Sequence, residues 1–265
     1  MIFNTFLFLK GISASTEEKL WSLGIQDWEC FLAARTIPGI SQKRKQAFNA
    51  CIKEAKHNLY SGNIEYFTGR LPAVEHWRLY PFFKTEAVFL DIETSGVEGD
   101  AYITVIGLYD GERTKTMIKG VNLDPGILKK ELQRYKMIVS FNGSAFDLPY
   151  IEKRFPELLP KALHMDLRHL CARMGLKGGL KQVERELGIK RTNPIVERLY
   201  GGDALTLWKM FRATGDEYYL HLLVEYNEED CVNLQIIAEK IMKKIQTNFY
   251  ELNGSMLPLA CSSSR

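Results

Sequence analysis

Three short stretches of this chain hold side chains whose types and spacing could do chemistry. In the first, Asp91-Ile92-Glu93 directly follows the apolar run Ala87-Val88-Phe89-Leu90. Residues i and i+2 of a strand share one face, so two carboxylates stand side by side where an extended segment ends. Such a pair repels itself unless a cation lies between; the alternative is a pair of solvated loop acids, which strand ends often carry. In the second, Phe141-Asn142-Gly143-Ser144-Ala145-Phe146-Asp147-Leu148-Pro149-Tyr150 leads from a predicted strand into a predicted helix. Asp147 stands near the N-cap position, where a carboxylate is ordinary capping chemistry. One carboxylate cannot cap a helix and bind a metal with the same oxygens. In the third, Tyr226-Asn227-Glu228-Glu229-Asp230 sets a phenol and a carboxylate at i and i+4, one turn apart on one helix face. An amphipathic helix with a partly buried tyrosine would look the same.

The elements that must position these residues follow from periodicity. Residues 87–90 and 102–109 are β-branched and apolar, the second run is bounded by the hairpin signal Asp110-Gly111, and 114–118 reads as its partner strand. Three antiparallel strands are implied. Helical spacing over 125–135 precedes a strand at 137–141; helices are then predicted at 148–155, 179–187 and 216–245, with a short strand at 163–167. Hairpin strands first, then alternating helices and strands, predict an α/β fold: a mixed sheet with helices on its faces.

The N-terminal segment has a different character. Two Gly-Ile turns, Lys10-Gly11-Ile12-Ser13 and Pro38-Gly39-Ile40-Ser41, each precede a helix-like stretch, and Ser15 with Glu18 has the spacing of a capping box. The turns resemble helix-hairpin-helix elements, whose backbone N–H groups can face a phosphate. Lys43-Arg44-Lys45 favours such contact, and simple helix packing is the alternative. The apolar opening, residues 1–9, is too short to span a bilayer and reads as buried structure. Periodicity stops near Leu71-Pro72 and Tyr80-Pro81, as in a linker or strap. The predicted organisation is a small helical region over residues 1–84, a mixed-sheet domain over 85–248 and a tail over 249–265, whose Ser262-Ser263-Ser264 is expected to fray.

Taken in order, D-x-E on a strand, N-x-x-x-F-D-x-P-Y at a strand-to-helix turn and Y-x-x-x-D on a late helix resemble the DEDDy subgroup of the DnaQ-like 3′→5′ exonucleases. The middle motif is especially similar to that of family-B DNA polymerase proofreading domains. A closer likeness, through Trp77-Arg78-Leu79-Tyr80-Pro81, Phe89-Leu90-Asp91-Ile92-Glu93-Thr94, Leu180-Lys181-Gln182-Val183-Glu184 and Gly202-Asp203-Ala204, is to the YprB-type RNase H-like family. The resemblance implies an RNase H-like sheet, with Asp91, Glu93, Asp147 and Asp230 as metal ligands and Tyr226 orienting the attacking water.

Such ligands, all oxygen, suit two Mg²⁺ or Mn²⁺ ions. A pair of divalent ions about 3.5–4 Å apart lowers the pKa of water and stabilises the leaving oxygen of a phosphodiester. An unperturbed phenol has a pKa of about 10, so Tyr226 is expected to orient water rather than act as a strong base. Further substrate contacts are expected at Thr94, at Asn142 on the terminal nucleotide, at Phe146 and Tyr150 against a base, and at Lys177 and Lys181 on phosphate. Core packing is the competing role for Phe146, and solvation for the two lysines. The implied partner is nucleic acid, DNA or RNA, entering as a single-stranded 3′ end, with no membrane involved.

Composition sets the outer bounds. Residues 1–84 carry 11 Lys/Arg against 7 Asp/Glu and the remainder 24 against 25, so the net charge of +3 comes from an N-terminal basic excess. Hydrophobic residues at 46% and charged ones at 25% exclude large-scale disorder. Cys30, Cys51, Cys171, Cys231 and Cys261 form no C-x-x-C pair, which argues against a disulfide framework or a zinc site and fits a reducing cytoplasm. Two other readings stand beside the exonuclease: a nucleic-acid-binding module on an inactive nuclease fold, and an RNase H-type endonuclease.

Overall fold

Where the N-terminal sequence turns on glycine, its helices begin. Gly11 and Gly39 adopt φ of 78° and 80°, a region that side chains disfavour. Two residues after each glycine, Ser13 and Ser41 accept a hydrogen bond from the backbone N–H of Thr16 and Arg44 and cap the helices that follow. The expected capping box at Ser15 and Glu18 does not form, because the cap lies two residues earlier. Glu17 is instead the acid with a structural role: it is buried, accepts from Thr5 Oγ1 and the Phe6 N–H at 2.6 Å each, and pairs with Arg78 at 3.1 Å.

The structure is a computed structural model that describes residues 1–96, 99–199 and 201–254. It divides into two compact units, residues 1–82 with 243–265, and residues 83–242. The first unit contains α1 (Ala14–Ser22), α2 (Trp28–Ala33), α3 (Gln42–Tyr60) and α4 (Glu65–Thr68), followed by a 3-10 turn at Ala73–Leu79 and the start of α5 (Tyr80–Phe83). Ile2, Phe6, Phe8 and Leu9 are buried, as the apolar opening predicts. Trp77, Leu79 and Tyr80 are buried too, which makes the aperiodic stretch a packed strap and not a free linker.

The second unit is built on β1 (Ala87–Thr94), β2 (Ile103–Tyr109), β3 (Thr114–Ile118), β4 (Met137–Ser140) and β5 (Leu163–Asp166). Their order is β3-β2-β1-β4-β5; the first three neighbours are antiparallel, and β1–β4 and β4–β5 are parallel. The β2–β3 turn is held by Asp110, whose Oδ1 accepts from the Glu112 and Arg113 N–H groups at 2.9 and 2.8 Å. Around the sheet lie α6 (Pro125–Leu132), α7 (Asp147–Arg154), α8 (Leu167–Arg173), α9 (Leu180–Glu186), α10 (Pro194–Arg198), α11 (Gly201–Thr214) and α12 (Glu217–Gly254).

Side-chain alternation in β1 decides which face does what. Val88, Leu90 and Ile92 point into a core shared with Ile106, Leu128, Leu132, Ile138 and Ile151. Burying each such side chain contributes about 1.5–3 kcal/mol, so a one-residue slip that put Asp91 and Glu93 there is strongly disfavoured. The acids therefore take the opposite face, where Val105 of β2 packs with Leu223 and Tyr226 of α12 and Trp208 of α11. Helix α12 runs past the boundary expected at 248/249, and Phe249 packs edge-on against Trp21 at 5.1 Å within the first unit. Cys261 and the serine tail lie outside the described residues, and no disulfide joins the four described cysteines. No helix among the described residues is long and apolar enough to cross a membrane.

Candidate metal centre

The site begins at a glycine. Gly107 of β2 stands opposite Asp91 in the register, and a Cβ built on it would lie 2.1 Å from Asn227 Oδ1 and 2.7 Å from Cys231 Sγ. Helix α12 thus approaches the sheet to a distance that only glycine permits. At that distance Asn227 Nδ2 donates to Asp91 Oδ2 at 2.8 Å. One ligand oxygen from each of Asp91, Glu93 and Asp230 then lies within 4.8 Å of the others.

Asp147 adjoins these three acids through the backbone of β1. It opens α7 as its first helical residue, and its Oδ1 accepts the backbone N–H of Ile92, between the two β1 acids, at 3.2 Å. The carboxylate is turned to the sheet, and Phe146 holds the N-cap position without a side-chain bond. The preceding turn is equally tight: a Cβ on Gly143 would be 2.1 Å from Ser140 Oγ and 3.4 Å from Asp147 Oδ2. Asp166 fastens this turn by accepting from the Asn142 N–H at 2.8 Å and from the Ser144 N–H and hydroxyl at 3.1 and 2.5 Å. Although burial pushes the Asp166 carboxyl up, these bonds outweigh it and hold the acid ionised.

The four clustered acids have the opposite balance. Burial first, and then the charges of Asp230, Asp147 and Glu93, push Asp91 well above the usual carboxylate range. Glu93 is raised in the same way by burial, Asp230 and Asp147. Burial carries Asp147 up to about 7 and Asp230 up to about 6, the latter restrained by Arg191. A cluster that resists ionisation in water and offers only oxygen donors fits a hard divalent cation. Asp91, Glu93 and Asp230 would hold it, with Asp147 adjoining.

Tyr226 lies one turn before Asp230 and is buried; burial and then Asp230 push its phenol well up, so it stays a neutral hydrogen-bond donor. Two cations face its ring, Lys181 Nζ at 4.9 Å and Arg191 Cζ at 5.2 Å from the centroid. Lys181 Nζ donates to the carbonyls of Val196, at 3.1 Å, and Leu199, which fastens α9 to the α10 segment. Lys177 is exposed in the turn before α9. Thr94 is half-buried beside a β-bulge at the end of β1. Asn142 has φ of 65°, and its Oδ1 accepts from Arg168 at 2.7 Å. Phe146 and Tyr150 pack on the core with their rings 5.5 Å apart. The Tyr150 hydroxyl is buried without a partner among the described residues.

Sequence reasoning missed Arg191. It lies between α9 and α10, its side chain 2% exposed, and it bonds Asp230 Oδ1 on one side and Glu184 on the other, at 3.0 to 3.2 Å. Its neighbours fasten the same segment to α12: the Thr192 and Asn193 N–H groups donate to Glu229 Oε1 at 2.7 and 3.1 Å, and Asn193 Nδ2 donates to Glu225 at 2.8 Å. No local spacing signals these contacts.

A sequence model of the RNase_H superfamily matches residues 88–242, more than half of the 265-residue chain. The chain belongs to the RNase H superfamily. Asp91, Glu93, Asp147, Arg191, Tyr226 and Asp230 all fall inside the RNase H match, and the three antiparallel strands followed by parallel ones are the RNase H-like arrangement. Over 146 residues the chain is 32% identical to DNA polymerase 1 of Aeropyrum pernix, a match covering 48% of this chain and 14% of the polymerase. Among solved structures it is similar to the family B DNA polymerase of the hyperthermophilic archaeon Pyrobaculum calidifontis, at 17% identity and a TM-score of 0.47, covering 65% of this chain and 26% of that one. The chain therefore spans a small part of the length of either polymerase.

Proposed function

We propose that this protein is a metal-dependent 3′→5′ exonuclease of the DEDDy type, related to the YprB-like group, acting on a single-stranded 3′ end of DNA or RNA in the cytoplasm. The observation that carries this reading is the convergence of Asp91, Glu93 and Asp230 within 4.8 Å, with Asp147 hydrogen-bonded to the strand between the first two. Its match to a short stretch of a DNA polymerase is what a proofreading-type domain would give. Asp91, Glu93, Asp147 and Asp230 would hold two divalent ions, Mg²⁺ or Mn²⁺. Bound there, such ions supply charge neutralisation for the phosphate and a lowered pKa for water.

In this reading Tyr226 donates its hydroxyl proton in a hydrogen bond to the attacking water and sets its line of approach, without taking a proton. Water adds to phosphorus and gives up one proton to solvent, the bond to the 3′-oxygen breaks, and that oxygen takes up a proton from solvent to become the new 3′-hydroxyl, releasing a 5′-mononucleotide. Thr94, Asn142, Phe146, Tyr150, Lys177 and Lys181 are the proposed substrate contacts; for Lys181 this requires leaving the Val196 and Leu199 carbonyls. End-labelled DNA and RNA, single- and double-stranded, incubated with Mg²⁺, Mn²⁺ or EDTA, test the proposal. Release of single nucleotides from the 3′ end supports it. Internal cuts identify an endonuclease, and protection without products identifies a binding module.

A further inference from the structure

We infer that Arg191 is a positioning residue for the metal centre: it holds one oxygen of Asp230 so that the other is presented to the cation. The inference rests on the reading of the four acids as metal ligands. Arg191 bonds Asp230 Oδ1, while Oδ2 accepts no hydrogen bond among the described residues. A carboxylate held by one oxygen loses the freedom to rotate away from a ligand geometry, which is how second partners of metal ligands act.

Charge explains why an arginine is tolerated beside a site for dications. Glu184 is buried, takes both Nε and Nη2 of Arg191, and is itself held by Asn233 Nδ2 at 2.8 Å. Arg191 and Glu184 thus form a neutral pair, leaving the four carboxylates to balance two divalent ions. The segment bearing Arg191 is anchored on α12 through Glu225 and Glu229, so the guanidinium is fixed to the same helix that carries Asp230. Its remaining Nη1 is buried without an acceptor among the described residues.

Isothermal titration of the full chain with Mn²⁺, alongside melts in EDTA to check folding, tests the inference on Arg191→Lys, Arg191→Met and Glu184→Gln. Arg191→Met is expected to weaken Mn²⁺ binding about 10- to 100-fold; Arg191→Lys recovers part of it, and Glu184→Gln also weakens binding by leaving the guanidinium uncompensated. Should Arg191→Met fail to fold, the other two variants decide. Folded variants that bind Mn²⁺ as tightly as the unaltered chain, or more tightly, overturn the role of Arg191 alone. An unaltered chain that neither binds Mn²⁺ nor cuts nucleic acid overturns the reading of the acids on which it stands.

Discussion

Replacing Gly107 with alanine adds one methyl group at the contact that brings α12 to the sheet. The new carbon would meet Asn227 Oδ1 at 2.1 Å and Cys231 Sγ at 2.7 Å, whereas ordinary contact begins near 3.4 Å. Subtracting, Asn227 must retreat by 1.3 Å and Cys231 by 0.7 Å. Asn227 could swing aside by breaking its bond to Asp91, but Cys231 lies one turn on and is buried. Both can be relieved together only if this part of α12 moves by up to about 1 Å, and Asp230 lies between them. Metal ligands tolerate about 0.2 Å, and a 1 Å misplacement can cost about 10²-fold in rate. Overpacking costs about 1–3 kcal/mol, partly offset by the lower chain entropy of alanine in a strand, about 0.5–1 kcal/mol. In a chain of this size the net loss lowers Tm by a few degrees, on the order of 2–4 °C per kcal/mol. Melts in EDTA, Mn²⁺ titration and release of nucleotides from a labelled strand should therefore show a folded protein with at least about tenfold weaker metal binding and about 10²-fold slower turnover. A Gly107→Ala protein with unaltered Mn²⁺ affinity and rate would refute the reasoning, because the close approach would then not be what assembles the acids.

Asp147→Asn should raise the metal-free Tm at pH 8 while abolishing tight Mn²⁺ binding, since Oδ1 can still accept from Ile92. The folded Asp147 carboxyl is pushed up to about 7 from an ordinary 3.8. The folded state thus binds this proton more tightly, its contribution to stability is full below about pH 4 and is lost as pH rises through 7, and the loss is on the order of 4 kcal/mol. Melts in EDTA from pH 4 to 8 should show that decline in the unaltered chain and a shallower one in the variant. Tyr226→Phe should lower turnover by about 10²-fold and leave Mn²⁺-dependent strand binding intact; equal loss of both in a binding and single-turnover assay would contradict a water-orienting role. Asp166→Ala should loosen the 142–144 turn, seen as faster amide exchange there together with slower cleavage, because the Asn142 and Ser144 donors lose their acceptor.

Short-range pattern explains which elements were legible. Strand alternation, the Asp110-Gly111 hairpin and the long helix bearing Tyr226 and Asp230 involve neighbours along the chain, and they appear where the spacing places them. The helix at Gly201–Thr214 carries a local signal too, since Ala204, Leu207, Trp208 and Phe211 have i, i+3, i+4, i+7 spacing. The seven-residue α8 and five-residue α10 are too short for periodicity to register. Ser13 as the cap in place of Ser15 shows how local competition shifts a boundary by two residues.

For the site, the amino-acid order alone determined the type and order of the acids and which face of strand or helix each must occupy, because those depend on fixed backbone periods. It left open whether Asp147 caps a helix or binds a metal, since both roles place the same residue at the same turn. Tertiary packing turned that carboxylate onto the Ile92 N–H, and it decided everything that joins remote positions: Gly107 against Asn227 and Cys231, Asn227 on Asp91 across 136 residues, Arg191 on Asp230 across 39. Such contacts carry no sequence period, and they form only when the sheet and α12 bury their apolar faces against each other.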